Sequence, residues 1–346
     1  VQHESPSGTL AVINSTAPIR VCDNGGWTDT WFAVHGKVFN IAVCPHAEVQ
    51  LEVSRRSEAR PQVLINAENF GDTYAAGVAR RQPLLEAAVE RLKVPEELAV
   101  RVTVFSEAPP GAATGTSAAV TVALLGALDR LKRGRRTRRE VAYLAHSVET
   151  EVLKRQSGIQ DQLCAAYGGI NYIEMDRYPR VRVTEAVRWE LERRLSLVYL
   201  GKAHSSSDVH EKVIRELEGL GPDCKQLADL RRTAEASRDA VAAGDFAALG
   251  RAMAENTEAQ ARLHPEVVGE DAYRVIEIAK RHGALGWKVN GAGGAGGSVS
   301  ILGGPLSRRT RAMLAEIEAS NSLYKRIPTR LSPQGLRTWE VKLDRN

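Results

Sequence analysis

The sequence predicts an α/β protein of two domains, and three observations carry that expectation. Alternating apolar residues at 98–105 run into a loop of small residues at 109–119 and then an Ala- and Leu-rich stretch at 120–131, the order strand, loop, helix. The chain has 346 residues and 43% hydrophobic content, enough to bury a full core and long enough for two domains. A composition shift across 177–194 marks the boundary, giving domains 1–190 and 191–346.

Each element has a local reason. Residues before about 17 are polar and read as a loose lead-in. Residues 19–22 form a short strand ended by the turn signal Asp23-Asn24-Gly25-Gly26, after which Trp27, Thr28 and Asp29 are displayed. Residues 38–53 alternate as one or two strands interrupted by Pro45, 62–65 is a strand, and 83–92 is a helix with Pro in its first turn. Thr137-Arg138-Arg139-Glu140 has the form of a capping box. It opens a helix with the apolar stripe Val141, Leu144, Ala145, Val148 and Val152, and Glu149 lies at the stripe's border. Ser157-Gly158 breaks that helix, a short segment from 159 ends at Gly168-Gly169, and 170–175 is a strand. Farther on, 195–200 is a buried strand and helices occupy 207–282. Strands at 285–289 and 298–302 flank a glycine run, and a helix at 306–319 and a strand at 338–343 close the chain.

The loop Pro110, Gly111, Ala112, Ala113, Thr114, Gly115, Thr116, Ser117, Ala118 exposes backbone N–H groups at a helix N-terminus, a ready site for phosphate. The hydroxyls of Thr116 and Ser117 are placed to bond a phosphate oxygen or a magnesium ion. Composition alone explains the loop equally well as a tight connection without a ligand. It is not a Walker loop, because no Lys follows Gly115. Gly291, Gly293 and Gly296 match the spacing G-x-G-x-x-G, but a strand and not a helix follows. That excludes a nicotinamide-dehydrogenase fingerprint and leaves a turn that lets backbone approach a ligand closely.

Composition narrows the partners. Cys22, Cys44, Cys164 and Cys224 show no CxxC pair and no metal-site spacing, so a reduced, cytoplasmic setting is expected. The net charge of +5 includes the cluster Lys132-Arg133-Gly134-Arg135-Arg136, read as a solvated turn after a helix. No interleaved aromatics accompany it, so no nucleic-acid partner is expected. No apolar run reaches bilayer length and the N-terminal residues do not read as a signal peptide, so a soluble protein without a membrane partner is expected. The sequence leaves a homodimer open.

Three segments, 20–29, 109–119 and 288–297, in this order and at these separations, resemble the signature motifs of the GHMP kinases, the superfamily of galactokinase, homoserine kinase, mevalonate kinase and phosphomevalonate kinase. Thr114 stands where that family usually has Leu, and Thr116 where Ser is usual. Gly25-Gly26-Trp27-Thr28-Asp29 is similar to the first motif of fucokinases and related to that of heptose-phosphate kinases. The segment 157–162 with 167–171 resembles the catalytic segment of both groups, and Gly26-Trp27 stand where galactokinases carry Glu-His.

The resemblance implies a GHMP fold: an N-terminal mixed sheet with helices, a C-terminal ferredoxin-like α/β sandwich, and an active site in the cleft between them. It implies ATP and Mg2+ as cofactors and transfer of the γ-phosphoryl group to a sugar or sugar phosphate, at the anomeric hydroxyl. By it Asp161 is the base and Arg20 the cation beside it. Residues 110–118 hold ATP, while Ser117 and Glu149, twelve positions before Asp161, hold the metal. Trp27, Thr28, Asp29, Gly168, Gly169, His204, Ser205, Gly291, Gly293 and Gly294 are placed around the substrate. The same scaffold also serves a decarboxylase or other kinase of non-sugar substrates, and a sensor that has lost turnover; the Gly-Gly-Trp-Thr-Asp and Gln-Asp-Gln segments speak for sugar.

Overall fold

The computed structural model describes residues 8–77, 81–132, 135–203 and 206–342. In chain order the elements are β1 (Thr9–Asn24), β2 (Gly36–Arg55), β3 (Val63–Ala67), β4 (Asp72–Ala75), α1 (Pro83–Arg91), β5 (Leu98–Ser106), α2 (Thr116–Asp129), α3 (Arg138–Ser147), α4 (Gln160–Tyr167), β6 (Ile170–Arg177) and β7 (Arg180–Ala186). They continue with α5 (Trp189–Glu192), β8 (Leu195–Tyr199), α6 (Ser206–Glu218), α7 (Lys225–Ala243), α8 (Phe246–Ala261), α9 (Glu270–Arg281), β9 (Gly286–Val289), β10 (Ser298–Leu302), α10 (Ser307–Ser320), β11 (Lys325–Ile327) and β12 (Arg337–Lys342).

Among the described residues the first sheet has eight strands, with the path β12-β1-β2-β5-β3-β4 and β6 and β7 branching from β2. It is mixed, because β3 runs parallel to β5 while its other pairs are antiparallel. The long strand β2 makes the branch: its first part, 36–41, pairs with β6 and its last part, 47–55, with β5. Pro18 and Pro45 fall where the β1–β2 register slips, between the pairs Pro18↔His46 and Ile19↔Val43, the place where a missing N–H costs least. The second sheet, β11-β8-β10-β9, is antiparallel. Read as strand, helices, strand, strand, helix, strand, it is the ferredoxin-like arrangement expected.

Helix α2 is apolar on nearly every face, so it lies buried under the first sheet among α1, α3 and α4. Helix α3 starts on the expected capping box: Thr137 Oγ1 accepts from Glu140 N at 3.2 Å and Glu140 Oε2 accepts from Thr137 N at 2.7 Å. It then widens into a π-turn, Val148–Val152, which carries Glu149 inward.

One expectation is corrected here. The residues before 17 are not a lead-in but the first half of β1, which gains hydrogen-bonded neighbours on both edges, β2 and β12. Two features link the halves of the chain. The C-terminal strand β12 returns to the first sheet, and Trp27 and Ala33 belong to the core built around the second.

Candidate active site

The site forms where the end of β1, the small-residue loop and the start of α4 meet. Arg20 is buried on β1 and grips Asp161 through two parallel bonds, Nε to Oδ1 at 2.8 Å and Nη2 to Oδ2 at 3.1 Å, the forked geometry that fixes both planes. Its remaining arm, Nη1, donates to the carbonyl of Ala113, and its backbone N–H to the carbonyl of Thr114 at 2.9 Å. Burial works against the Arg20 charge, but Asp161 and Asp23 outweigh it and hold the guanidinium above its ordinary pKa.

The loop needs its small residues. Gly111, Ala113 and Gly115 all have left-handed φ, at 71°, 57° and 68°. A Cβ on Gly115 would lie 3.2 Å from Arg20 Cγ and from the Asp161 carboxyl, so the loop leans directly on the ion pair. The glycine turn closes over the other side. A Cβ on Gly291 would meet Ala113 Cβ at 3.0 Å, and Ser298 Oγ donates to Ala112 O at 2.6 Å.

A second pair anchors that turn. Lys288, fully buried on β9, donates from Nζ to Asp23 Oδ1 at 3.0 Å and to Gln260 Oε1 at 2.9 Å. The Gly291 N–H reaches both Asp23 oxygens, at 3.2 and 3.0 Å, and Asp23 lies 3.8 Å from Arg20. Burial lowers the Lys288 pKa, although Asp23 opposes it; burial would raise Asp23, but Arg20 and Lys288 together pull its carboxyl below the usual range.

Asp29 is the third acid. It is 2% exposed, and its Oδ2 accepts from Gln160 N at 3.0 Å. A Cβ on Gly158 would sit 2.0 Å from that oxygen, so only glycine fits there. Burial, with a smaller push from Asp161, raises the Asp29 pKa to about 6, while the Gln160 bond works the other way. Glu149 is likewise buried and its pKa is raised by burial, with Gln162 Nε2 3.3 Å from its Oε1.

A cavity of about 100 Å³ opens between these groups. Of the residues expected at the site, Arg20, Trp27, Asp29, Asp161 and Gly291 line it. Thr28 does not: its Oγ1 donates to Gly25 O at 2.7 Å and accepts from Lys37 N at 3.1 Å, locking the turn that presents its neighbours. Gly168 and Gly169 lie against the 332–335 segment instead, where a Cβ on Gly168 would collide with Gly335 N at 2.2 Å. Gly293 packs on Val267, and Gly294 N donates to Val267 O at 2.8 Å, so both shape the turn without lining the cavity. His204 and Ser205 lie outside the described residues. The sequence reading did not assign roles to Asp23, Lys288 or Gln160. A Lys between Trp287 and Val289, directly before the glycine run, was the available signal.

The fold is two sheets with a forked Arg–Asp pair held against a glycine-containing loop. Residues 81–169 match the family described as "GHMP kinases N terminal domain", and residues 237–311 "GHMP kinases C terminal". The chain belongs to the GHMP kinases. It is 30% identical over 226 residues to a mevalonate kinase of Methanothermobacter thermautotrophicus, covering 62% of this chain and 71% of that protein. It is 25% identical over 197 residues to a D-glycero-alpha-D-manno-heptose 7-phosphate kinase of Campylobacter jejuni, covering 56% of this chain but only 58% of that relative's length. A galactokinase of Lactococcus lactis, solved with galactose, shares the fold with a TM-score of 0.75 at 16% identity, covering 98% of this chain and 96% of that one. Among the described residues no helix is long and apolar enough to cross a membrane.

Proposed function

We propose that this chain transfers the γ-phosphoryl group of ATP to a sugar or sugar phosphate, at the anomeric hydroxyl. The observation that carries the reading is the forked Arg20–Asp161 pair, set between Gly115 of the loop and a cavity that also holds the buried Asp29. Arg20 is buried while the Asp161 side chain is 26% exposed, so the carboxylate is the member of the pair that meets the acceptor. Asp161 takes the proton from the attacking hydroxyl, and Arg20 orients it and offsets charge as the phosphoryl group moves. Phosphoryl transfer needs alignment and charge neutralisation more than covalent help, and the residues supply these: 110–118 the phosphate cradle, Asp29 the grip on sugar hydroxyls.

Glu149 and Ser117 offer oxygen donors of the kind that suits a magnesium ion. Glu149 is a carboxyl held away from water whose burial goes partly uncompensated, and Ser117 is exposed at the first turn of α2. Hard oxygen ligands of this kind, few in number, suit magnesium. Bound there by Glu149 and Ser117, the ion would neutralise nucleotide phosphate charge. We assign the nucleotide and sugar motifs to a domain of residues 1–190 and the covering glycine turn to 191–346, in a cytoplasmic protein.

A second reading rests on the similarity to mevalonate kinases, the 30% identical one among them, which would make the acceptor a non-sugar alcohol. ADP release, followed by a coupled assay over sugars, sugar phosphates and mevalonate, separates the two. Sugar-dependent release is expected. Release with mevalonate and with no sugar would replace the sugar reading by the second.

A further inference from the structure

The chemistry of the cavity wall narrows the acceptor, an inference that rests on the kinase reading above. Its charged side holds three carboxylates, Asp23, Asp29 and Asp161, and one guanidinium, Arg20. That guanidinium is already committed, with two bonds to Asp161 and one to the Ala113 carbonyl. Lys288 does not line the cavity; it is fully buried and bound to Asp23. The wall also carries apolar side chains, with one imidazole, His210, among them. Trp27, Trp31, Phe32 and Ile214 face the cavity, Trp27 with its ring 4.5 Å from that of His210 on α6, and Trp31 edge-on to Phe32 at 5.4 Å. Trp27 holds a left-handed φ of 78°, unusual for a bulky residue, and this turn conformation keeps its ring in the wall.

A phosphate or carboxylate on the acceptor would enter this wall as a second anion beside the transferring phosphoryl group. Among the described residues that line the cavity it would find no Lys, and no Arg beyond the committed one. The segment 204–208, partly outside the described residues, reads His-Ser-Ser-Ser-Asp and brings no Lys or Arg either. Lys154 and Arg155 come next to the wall in sequence, but neither lines it, and Arg155 acts on Glu149. Aromatic rings, in contrast, suit the C–H face of a sugar, whose hydroxyls point outward to the carboxylates.

We propose that the acceptor is a neutral sugar, without phosphate or carboxylate, held by its hydroxyls to the acid side and by an apolar face to Trp27, Trp31 and Phe32. This departs from the Campylobacter relative, whose name specifies a heptose 7-phosphate.

The test uses matched pairs, each neutral sugar with its own phosphate, hexoses with hexose 6-phosphates and a heptose with its 7-phosphate. ADP release gives kcat/KM, and tryptophan fluorescence reads binding without turnover. The neutral member is expected to lead its phosphate by roughly tenfold or more, the factor that about 1.4 kcal/mol of differential binding produces. Phe32→Ala should raise the acceptor KM and leave the ATP KM unchanged, and Phe32→Lys should narrow the preference by placing a cation in the wall. A phosphorylated member preferred by the unaltered protein overturns the inference and leaves the kinase reading standing, as does equal loss of ATP and acceptor use in Phe32→Ala. Turnover of mevalonate alone overturns the inference together with the sugar reading. With no turnover at all the kinase reading fails, and fluorescence decides the inference: quenching by neutral sugars upholds it, whereas quenching by phosphates alone, or by neither, overturns it.

Discussion

Replacing Asp29 with Asn should make the protein more stable above pH 6 while impairing acceptor use. Asp29 is buried, and its carboxyl is raised from the ordinary 3.8 to about 6 because burial penalises its charge more than the Gln160 N–H rewards it. The folded state therefore binds this proton more tightly than the unfolded chain does. By linkage, stability is greatest below pH 3.8, declines between 3.8 and about 6, and stays reduced above, where folded and unfolded chains are both ionised. At about 1.36 kcal/mol per pH unit the cost of ionised Asp29 at pH 7.5 is about 3 kcal/mol. Asn removes that cost and can still accept the Gln160 bond. Urea unfolding of both proteins at pH 4 and 7.5 gives the difference, and the advantage of Asp29→Asn should grow by a few kcal/mol between the two. In the unaltered enzyme acceptor kcat/KM should rise through pH 6 as the carboxylate forms, opposite in direction to its share of stability. An Asp29→Asn advantage that is absent, or the same at both pH values, would refute the burial argument.

Other substitutions address the rest of the cleft. Lys288→Met leaves Asp23 buried with one cation fewer and should cost about 3–5 kcal/mol in urea unfolding, part of which Asp23→Asn in the same chain restores; equal loss in the single and double variants would contradict the pairing. Gly115→Ala puts a side chain at a φ of 68° and 3.2 Å from the Asp161 carboxyl. Its turnover should fall by roughly tenfold or more with folding nearly intact, since misplacing a reacting group is costly even when small; normal turnover would separate the loop from the ion pair. Ser117→Ala should raise the magnesium concentration needed for half-maximal ADP release, and an unchanged titration would remove Ser117 from the metal.

What could be read from the sequence depended on distance along it. The capping box at Thr137 and Glu140 is local, three residues apart, and it stands as expected. The strands and helices between 195 and 320 follow equally local patterns, but the three-residue strand that completes the ferredoxin-like layer, β11, was not expected, and the expected strand at 338–343 joins the first sheet instead; the layer itself was implied only by the family resemblance. The first half of β1 was illegible because what makes it a strand is pairing with 48–54 and 337–342, far away in sequence. The same holds within the site. Arg20 and Asp161 are 141 residues apart, so only the family resemblance could put them side by side. Asp23 and Lys288, separated by 265 residues, escaped because a Lys in an alternating strand reads as solvent-facing and an Asp in a turn as a turn former. Thr28, Gly168 and Gly169 do not line the cavity, since a motif also contains the residues that hold its turns.

The central claim is that Asp161, held by Arg20, serves the acceptor and not the nucleotide. Measuring acceptor-dependent ADP release and ATP affinity in Asp161→Asn tests it most directly. Turnover should drop by roughly 10²–10⁴-fold, the range for loss of a positioned base, with ATP binding nearly unchanged. Turnover close to that of the unaltered enzyme, or a loss of ATP affinity that matches the loss of turnover, would contradict it.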